Sequence, residues 1–136
     1  AFNIESLTVG QSETRDYSRM TVVVDTARVP ARLVEESLRK LVPVSEVMDV
    51  TELPTVDRDL ALIRVSCASA ERAEVAQLAD IFRGRIVDVA PDSVIVEVTG
   101  DGAKVDGLVE LLRPRGILEM VRTGKVAMLR GVTPAA

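Results

Sequence analysis

The residues best suited to ligand chemistry lie at the start of the chain, in the run Phe2-Asn3-Ile4-Glu5-Ser6-Leu7. An uncharged amide between apolar neighbours carries two donors and an acceptor, so Asn3 can meet both the ammonium and the carboxylate of an amino acid. In an extended strand with strict alternation, Phe2, Ile4 and Ser6 share one face and Asn3, Glu5 and Leu7 the other. The competing reading is a strand-end asparagine bonding its own backbone. Few other residues offer chemistry. The chain has no histidine and one cysteine, which removes a zinc site and a histidine-based triad and leaves only carboxylate oxygens for a metal. Cys67 follows an apolar run and reads as a small buried hydrophobe. Glu46, Asp49 and Glu52 fall on both faces of an extended segment, so no metal site is assigned. Arg64, Arg83 and Arg85 read as solvated side chains. Gly100-Asp101-Gly102 lacks the lysine and hydroxyl residue of a phosphate loop and reads as a turn and helix cap.

The composition narrows the function classes. With 136 residues, 47% of them hydrophobic, the chain suits one globular domain or two small ones. Aromatic residues make up 2%, so Val, Leu, Ile and Ala must build the core. A net charge of −4 argues against a phosphate-binding surface, and nucleic acid is not expected as a partner. No apolar run is long enough for a membrane span and no signal-peptide pattern is present, so a cytoplasmic chain is expected.

These residues must be positioned by a repeated pattern. After the opening strand, residues 10–16 read as an exposed loop, and Arg19 to Asp25 as a β-branched strand closing a hairpin. Pro30 suits the first turn of a helix whose stripe is Val34, Leu38 and Leu41, with pairs Glu35–Arg39 and Glu36–Lys40 on its wet side. Val44 to Thr51 is a strand candidate, and residues 52–57 the linker. Leu60 to Cys67 is apolar at nearly every position, as a central strand would be. Ser69 is the expected N-cap of a helix carrying Val75, Leu78 and Phe82, with Gly84 as its stop. Ile86–Val89 and Val94–Val98 form a tight hairpin. Asp101 caps a helix bearing Val105, Leu108, Val109 and Leu112, ended by Pro114-Arg115-Gly116. Ile117–Arg122 and Lys125–Leu129 close the chain.

The second half therefore reads strand, helix, strand, strand, helix, strand, which is the split βαβ or ferredoxin-like order. The first half has the same order without its opening strand and helix. Superposing the halves matches Ile4 with Ile86, Ser6 with Asp88 and Leu7 with Val89. A missing strand and helix would leave a sheet edge and an apolar face bare. The expectation is that they precede Ala1 in a longer protein or are supplied by another chain.

Phe2 to Leu7, Ser18 to Thr21, Leu78 to Val89, Val96 to Asp101 and Leu111 to Ile117 closely resemble the small regulatory subunit of acetohydroxyacid synthase, also called acetolactate synthase. The resemblance spans almost the whole chain. It implies an α+β chain with two ferredoxin-like βαββαβ domains in tandem: a partial ACT domain over residues 1–53, lacking its opening strand and helix here, and a C-terminal ferredoxin-like domain over 54–136. It implies regulation of branched-chain amino acid biosynthesis, with no catalytic residue and no cofactor in this chain. The catalytic partner would carry thiamine diphosphate, magnesium and FAD, and would be activated by this chain and inhibited through it by valine. The effector would lie between the ACT domains of a homodimer, touching Asn3, with Ile4 beside it. The glycine-containing loop of that site has no counterpart in this chain. A free-standing ACT-type amino-acid sensor acting on another enzyme is the alternative.

Overall fold

The computed structural model describes residues 3–131, and Phe2 therefore lies outside the described residues. Two compact units emerge, the first made of the described residues up to Val56 and from Lys125 onward, the second of Asp57–Gly124. The chain is mixed α and β, as expected from the tandem ferredoxin-like reading.

In the first unit, strands β1 (Asn3–Gln11) and β2 (Ser18–Asp25) form an antiparallel hairpin. Ser12 Oγ organises the connecting loop by donating to the Thr14 and Tyr17 carbonyls. The register runs Asn3 opposite Asp25 and Ile4 opposite Val24, then Ser6 opposite Val23 and Leu7 opposite Val22. Glu5 is thus an extra residue, a β-bulge, and it overturns strict alternation. Asn3 shares its face with Ser6 and Thr8, whereas Ile4 shares the other face with Leu7 and Val9.

Helix α1 (Ala31–Arg39) follows with Pro30 as its N-cap at φ −59°, so the proline sits one position before the helical turn expected for it. The Glu35–Arg39 pair forms across one turn. The apolar stripe is only partly used, since Val34 alone is buried.

Val44 to Thr51 does not form the expected strand. A strand needs a neighbour to accept its ladder, and among the described residues none does so here. Local side chains take the backbone groups instead: Arg39 Nη2 donates to the Val47 carbonyl at 3.0 Å, and Asp49 Oδ1 accepts from the Thr51 N–H at 3.0 Å and its Oγ1 at 2.6 Å. These two bonds, the hydroxyl's foremost, hold the Asp49 carboxyl below its ordinary value. Strand β7 (Val126–Leu129) pairs with β3 (Thr55–Ser66). Within the first unit the returning segment also meets the hairpin: Arg19 Nη2 donates to the Ala127 carbonyl at 3.0 Å, and the Lys125 N–H approaches Ser6 Oγ at 3.5 Å.

The second unit adds helix α2 (Arg72–Ile81), strands β4 (Arg85–Val89) and β5 (Ser93–Gly100), helix α3 (Gly102–Leu112) and strand β6 (Ile117–Arg122). Its strands lie in the order β4-β5-β3-β6, each antiparallel to its neighbour. β3 is central, as its apolar sequence requires. Its Ala61, Ile63 and Val65 are fully buried with Val94, Val96 and Val98 of β5, beneath Val75 and Ala79 of α2 and Val105, Leu108, Val109 and Leu112 of α3. Cys67 is buried just past the end of β3.

Local chemistry sets the helix ends. Ser69 is not the cap of α2. It opens a 3-10 turn, Ser69–Glu71, in which Glu71 Oε1 accepts from the Ala68 N–H at 3.2 Å. At the other end Gly84 N–H reaches the Ala79 carbonyl and Arg83 N–H the Asp80 carbonyl, so the helix closes in a Schellman arrangement. Arg83, not Gly84, takes the left-handed conformation, at φ 57°. Gly84 is required by space, because a Cβ there would lie 2.8 Å from the Glu97 carbonyl oxygen. Asp101 caps α3 as expected, accepting from the Lys104 N–H at 2.9 Å. Gly116 takes φ 96° after the 3-10 turn that ends α3.

A charged clamp closes one end of the second sheet. Arg122 on β6 holds Asp59 Oδ2 of β3 through Nε at 2.9 Å and Nη2 at 2.8 Å, and Asp106 of α3 through Nη1 at 2.6 Å. Asp59 is 7% exposed. Hydrogen bonding to Asp106, ahead of that to Asp59, raises the affinity of Arg122 for its proton. Next to the clamp, Thr123 N–H donates to the Leu60 carbonyl and Leu60 N–H to Thr123 Oγ1, both at 2.9 Å.

Candidate functional site

Asn3 and Ile4 open β1 side by side, both exposed, and face opposite ways. Directly across the ladder from Asn3 stands Asp25, the last residue of β2. The two side chains share a face, and residues so opposed have Cβ atoms about 4.5–5.5 Å apart. An amide donor and a carboxylate are therefore within reach of one small molecule. Asp25 Oδ1 accepts the Ala27 N–H at 2.9 Å, an Asx turn that holds the carboxylate at the strand end.

The Asn3 face continues through Ser6 and Thr8, both half-buried, and Thr8 Oγ1 is shielded from solvent without a hydrogen-bond partner among the described residues. The opposite face carries Ile4, Leu7, Val9 and, from β2, Met20. Leu7 is 51% exposed and Val9 56%, so this apolar face is bare among the described residues. A cavity lined by Arg39 and residues 44–47 includes neither Asn3 nor Ile4.

The sequence pointed to Asn3 and Ile4 but not to Asp25. An aspartate ending a β-branched run looks like a strand terminator, and only the cross-strand register shows what it faces. Of the arginines considered at the outset, Arg64 lies 3.4 Å from Glu119 and 4.0 Å from Asp88, and Arg85 lies 3.3 Å from Glu97. Their charges are offset by carboxylates on neighbouring strands. Among the described residues no helix is long and apolar enough to cross a membrane.

Comparison with known proteins gives a consistent picture. A family model described as the small subunit of acetolactate synthase matches residues 58–131, and one described as an AHAS small subunit-like ACT domain matches residues 1–46. The chain is 51% identical over 130 residues to a probable acetolactate synthase small subunit from Archaeoglobus fulgidus, covering 96% of this chain and 81% of that one. It is 47% identical over 130 residues to an acetolactate synthase small subunit from Aquifex aeolicus, covering 95% and 68%. The crystal structure of the acetolactate synthase small subunit from Thermotoga maritima superposes with a TM-score of 0.86 at 39% identity, covering 97% of this chain and 83% of that one. The chain belongs to the acetolactate synthase small subunit family.

Proposed function

We propose that this chain is a non-catalytic regulatory subunit of acetolactate synthase, which docks on the catalytic subunit, raises its activity and confers feedback inhibition by valine. The observation that carries the reading is family membership over nearly the whole chain. The amide–carboxylate pair of Asn3 and Asp25 supports it, because its donor and anion suit the two charged ends of an amino acid. A homodimer with the effector held at the ACT domains belongs to the same reading. The partner supplies the chemistry, with thiamine diphosphate, magnesium and FAD bound to it, and the complex works in the cytoplasm.

The mechanism is linkage. Valine binds one arrangement of the regulatory dimer more tightly and shifts the population toward it. Coupling of about 1–3 kcal/mol to the catalytic subunit changes activity about 5- to 150-fold. A pocket distinguishes side chains differing by one methylene by only about 1–3 kcal/mol, so leucine and isoleucine act more weakly at the same place.

The test is acetolactate formation by the catalytic subunit, alone and with this chain, across a valine titration. Stimulation that valine reverses is expected. Stimulation insensitive to valine would leave docking intact and remove the effector role. Neither stimulation nor binding would favour a free-standing amino-acid sensor acting on another enzyme.

A further inference from the structure

The two hairpins are superposable by register. In β4–β5, Ile86 faces Val96, Asp88 faces Ile95 and Val89 faces Val94, with Val87 as the extra residue. In β1–β2, Ile4 faces Val24, Ser6 faces Val23 and Leu7 faces Val22, with Glu5 as the extra residue. One position earlier, Arg85 faces Glu97 in the second hairpin and Asn3 faces Asp25 in the first.

The acidic position is thus filled in both hairpins, but the cation is present in only one. Arg85 Nε and Nη2 both donate to Glu97 Oε1 at 3.3 Å. Across from Asp25 stands a neutral amide, and among the described residues Asp25 takes one hydrogen bond, from the Ala27 N–H to Oδ1, and makes no ion pair. Among the described residues no cationic side chain stands opposite Asp25, where Arg85 stands opposite Glu97 in the second hairpin. A primary ammonium supplied by a ligand meets this need, since charge-assisted N–H···O contacts form at about 2.7–2.9 Å. The neighbouring Asn3 amide N–H then remains to meet the carboxylate of the same molecule.

We propose that Asp25 receives the ammonium group of the amino-acid effector, with Asn3 holding its other end; this assignment rests on the effector role proposed above. It explains why the first hairpin carries Asn3 where the second carries Arg85: an arginine there would occupy the carboxylate and close the site.

The test is L-valine binding by calorimetry, with this chain held in complex with the catalytic subunit, for the unsubstituted protein and for Asp25→Asn, Asp25→Glu and Asn3→Arg. Asp25→Asn is isosteric, retains an acceptor for the Ala27 N–H, removes the negative charge and turns the second acceptor oxygen into an NH2 donor. It is expected to weaken valine at least tenfold at unchanged melting temperature, with Asp25→Glu restoring most of the loss. Asn3→Arg, which rebuilds the Arg85–Glu97 arrangement in the first hairpin, is expected to weaken valine by a similar factor. If Asp25→Asn binds valine as tightly as the unsubstituted protein, the assignment falls and the regulatory reading stands. If the unsubstituted complex binds no valine, both fall.

Discussion

The segments β1–β2–α1 and β4–β5–α3 are the same local design with different fates. Each is an antiparallel hairpin with a one-residue bulge at the same register position, followed by a helix. In the second, β3 lies beside β5 and α2 beside α3, and the helix buries four apolar residues. In the first, among the described residues, the hairpin is a two-stranded sheet and α1 buries one. Burial belongs to the company an element keeps, and a matching sequence does not guarantee it.

The largest test of this contrast is a pair of core truncations. Leu108→Ala in α3 is expected to lower unfolding free energy by about 2–5 kcal/mol, because the fully enclosed side chain leaves a cavity. Val34→Ala in α1 should lose roughly 1–2 kcal/mol, from two methyl groups of the one side chain that this helix buries. Urea melts of the two variants would measure the difference, and equal losses would mean that α1 is as well covered in solution as α3.

A smaller effect concerns the clamp, which has no counterpart in the first hairpin. Arg122→Met strands the buried Asp59 carboxylate and is expected to cost about 2–3 kcal/mol, less than the 3–5 of fully enclosed pairs because the arginine is partly solvated. Removing both charges in Asp59→Leu with Arg122→Met should recover most of that loss, since an apolar pair needs no desolvation compensation. A double variant no more stable than the single one would show that the charges supply more than mutual compensation.

The smallest effect lies just after each helix. After α3 the chain enters β6 and gains a ladder, whereas after α1 it relies on Asp49 and Thr51. Thr51→Val removes the hydroxyl that chiefly holds the Asp49 carboxyl low, so this group is expected to titrate at higher pH in a carboxyl NMR titration. The sign follows from linkage. A depressed folded-state value stabilises the protein above the unfolded value, about 3.9, and that contribution disappears as pH falls through the folded value. The deficit of the variant should therefore be full at neutral pH and vanish in acid.

Much of this was legible in the sequence because local and global signals agreed. The apolar run of β3, the stripe of α3 and the Asp101 cap each point to one structure. The misreadings have separate physical origins. Period-two alternation contains no sign of a bulge, so it places Ser6 and Leu7 each on the face that the other takes. Val44–Thr51 has strand-like composition, but strand formation depends on a neighbour elsewhere. Gly84 has the look of a left-handed helix stop, yet Arg83 takes that conformation because the glycine is spent on the close approach to Glu97. Asp25 is not singled out by the sequence because what it faces, Asn3 across the ladder, is set by the register.

The pairing of Leu60 with Thr123 also bears on the order in which the chain folds. The first unit is assembled from two stretches with the whole second unit between them, and closing so long a loop carries an entropic cost that grows by about 0.6 kcal/mol with each doubling of length. β3 and β6 lie side by side at the boundary, so a folded second unit already delivers the two stretches to adjacent positions. With the second unit formed, that encounter is a local one, because Leu60 and Thr123 are already paired within it.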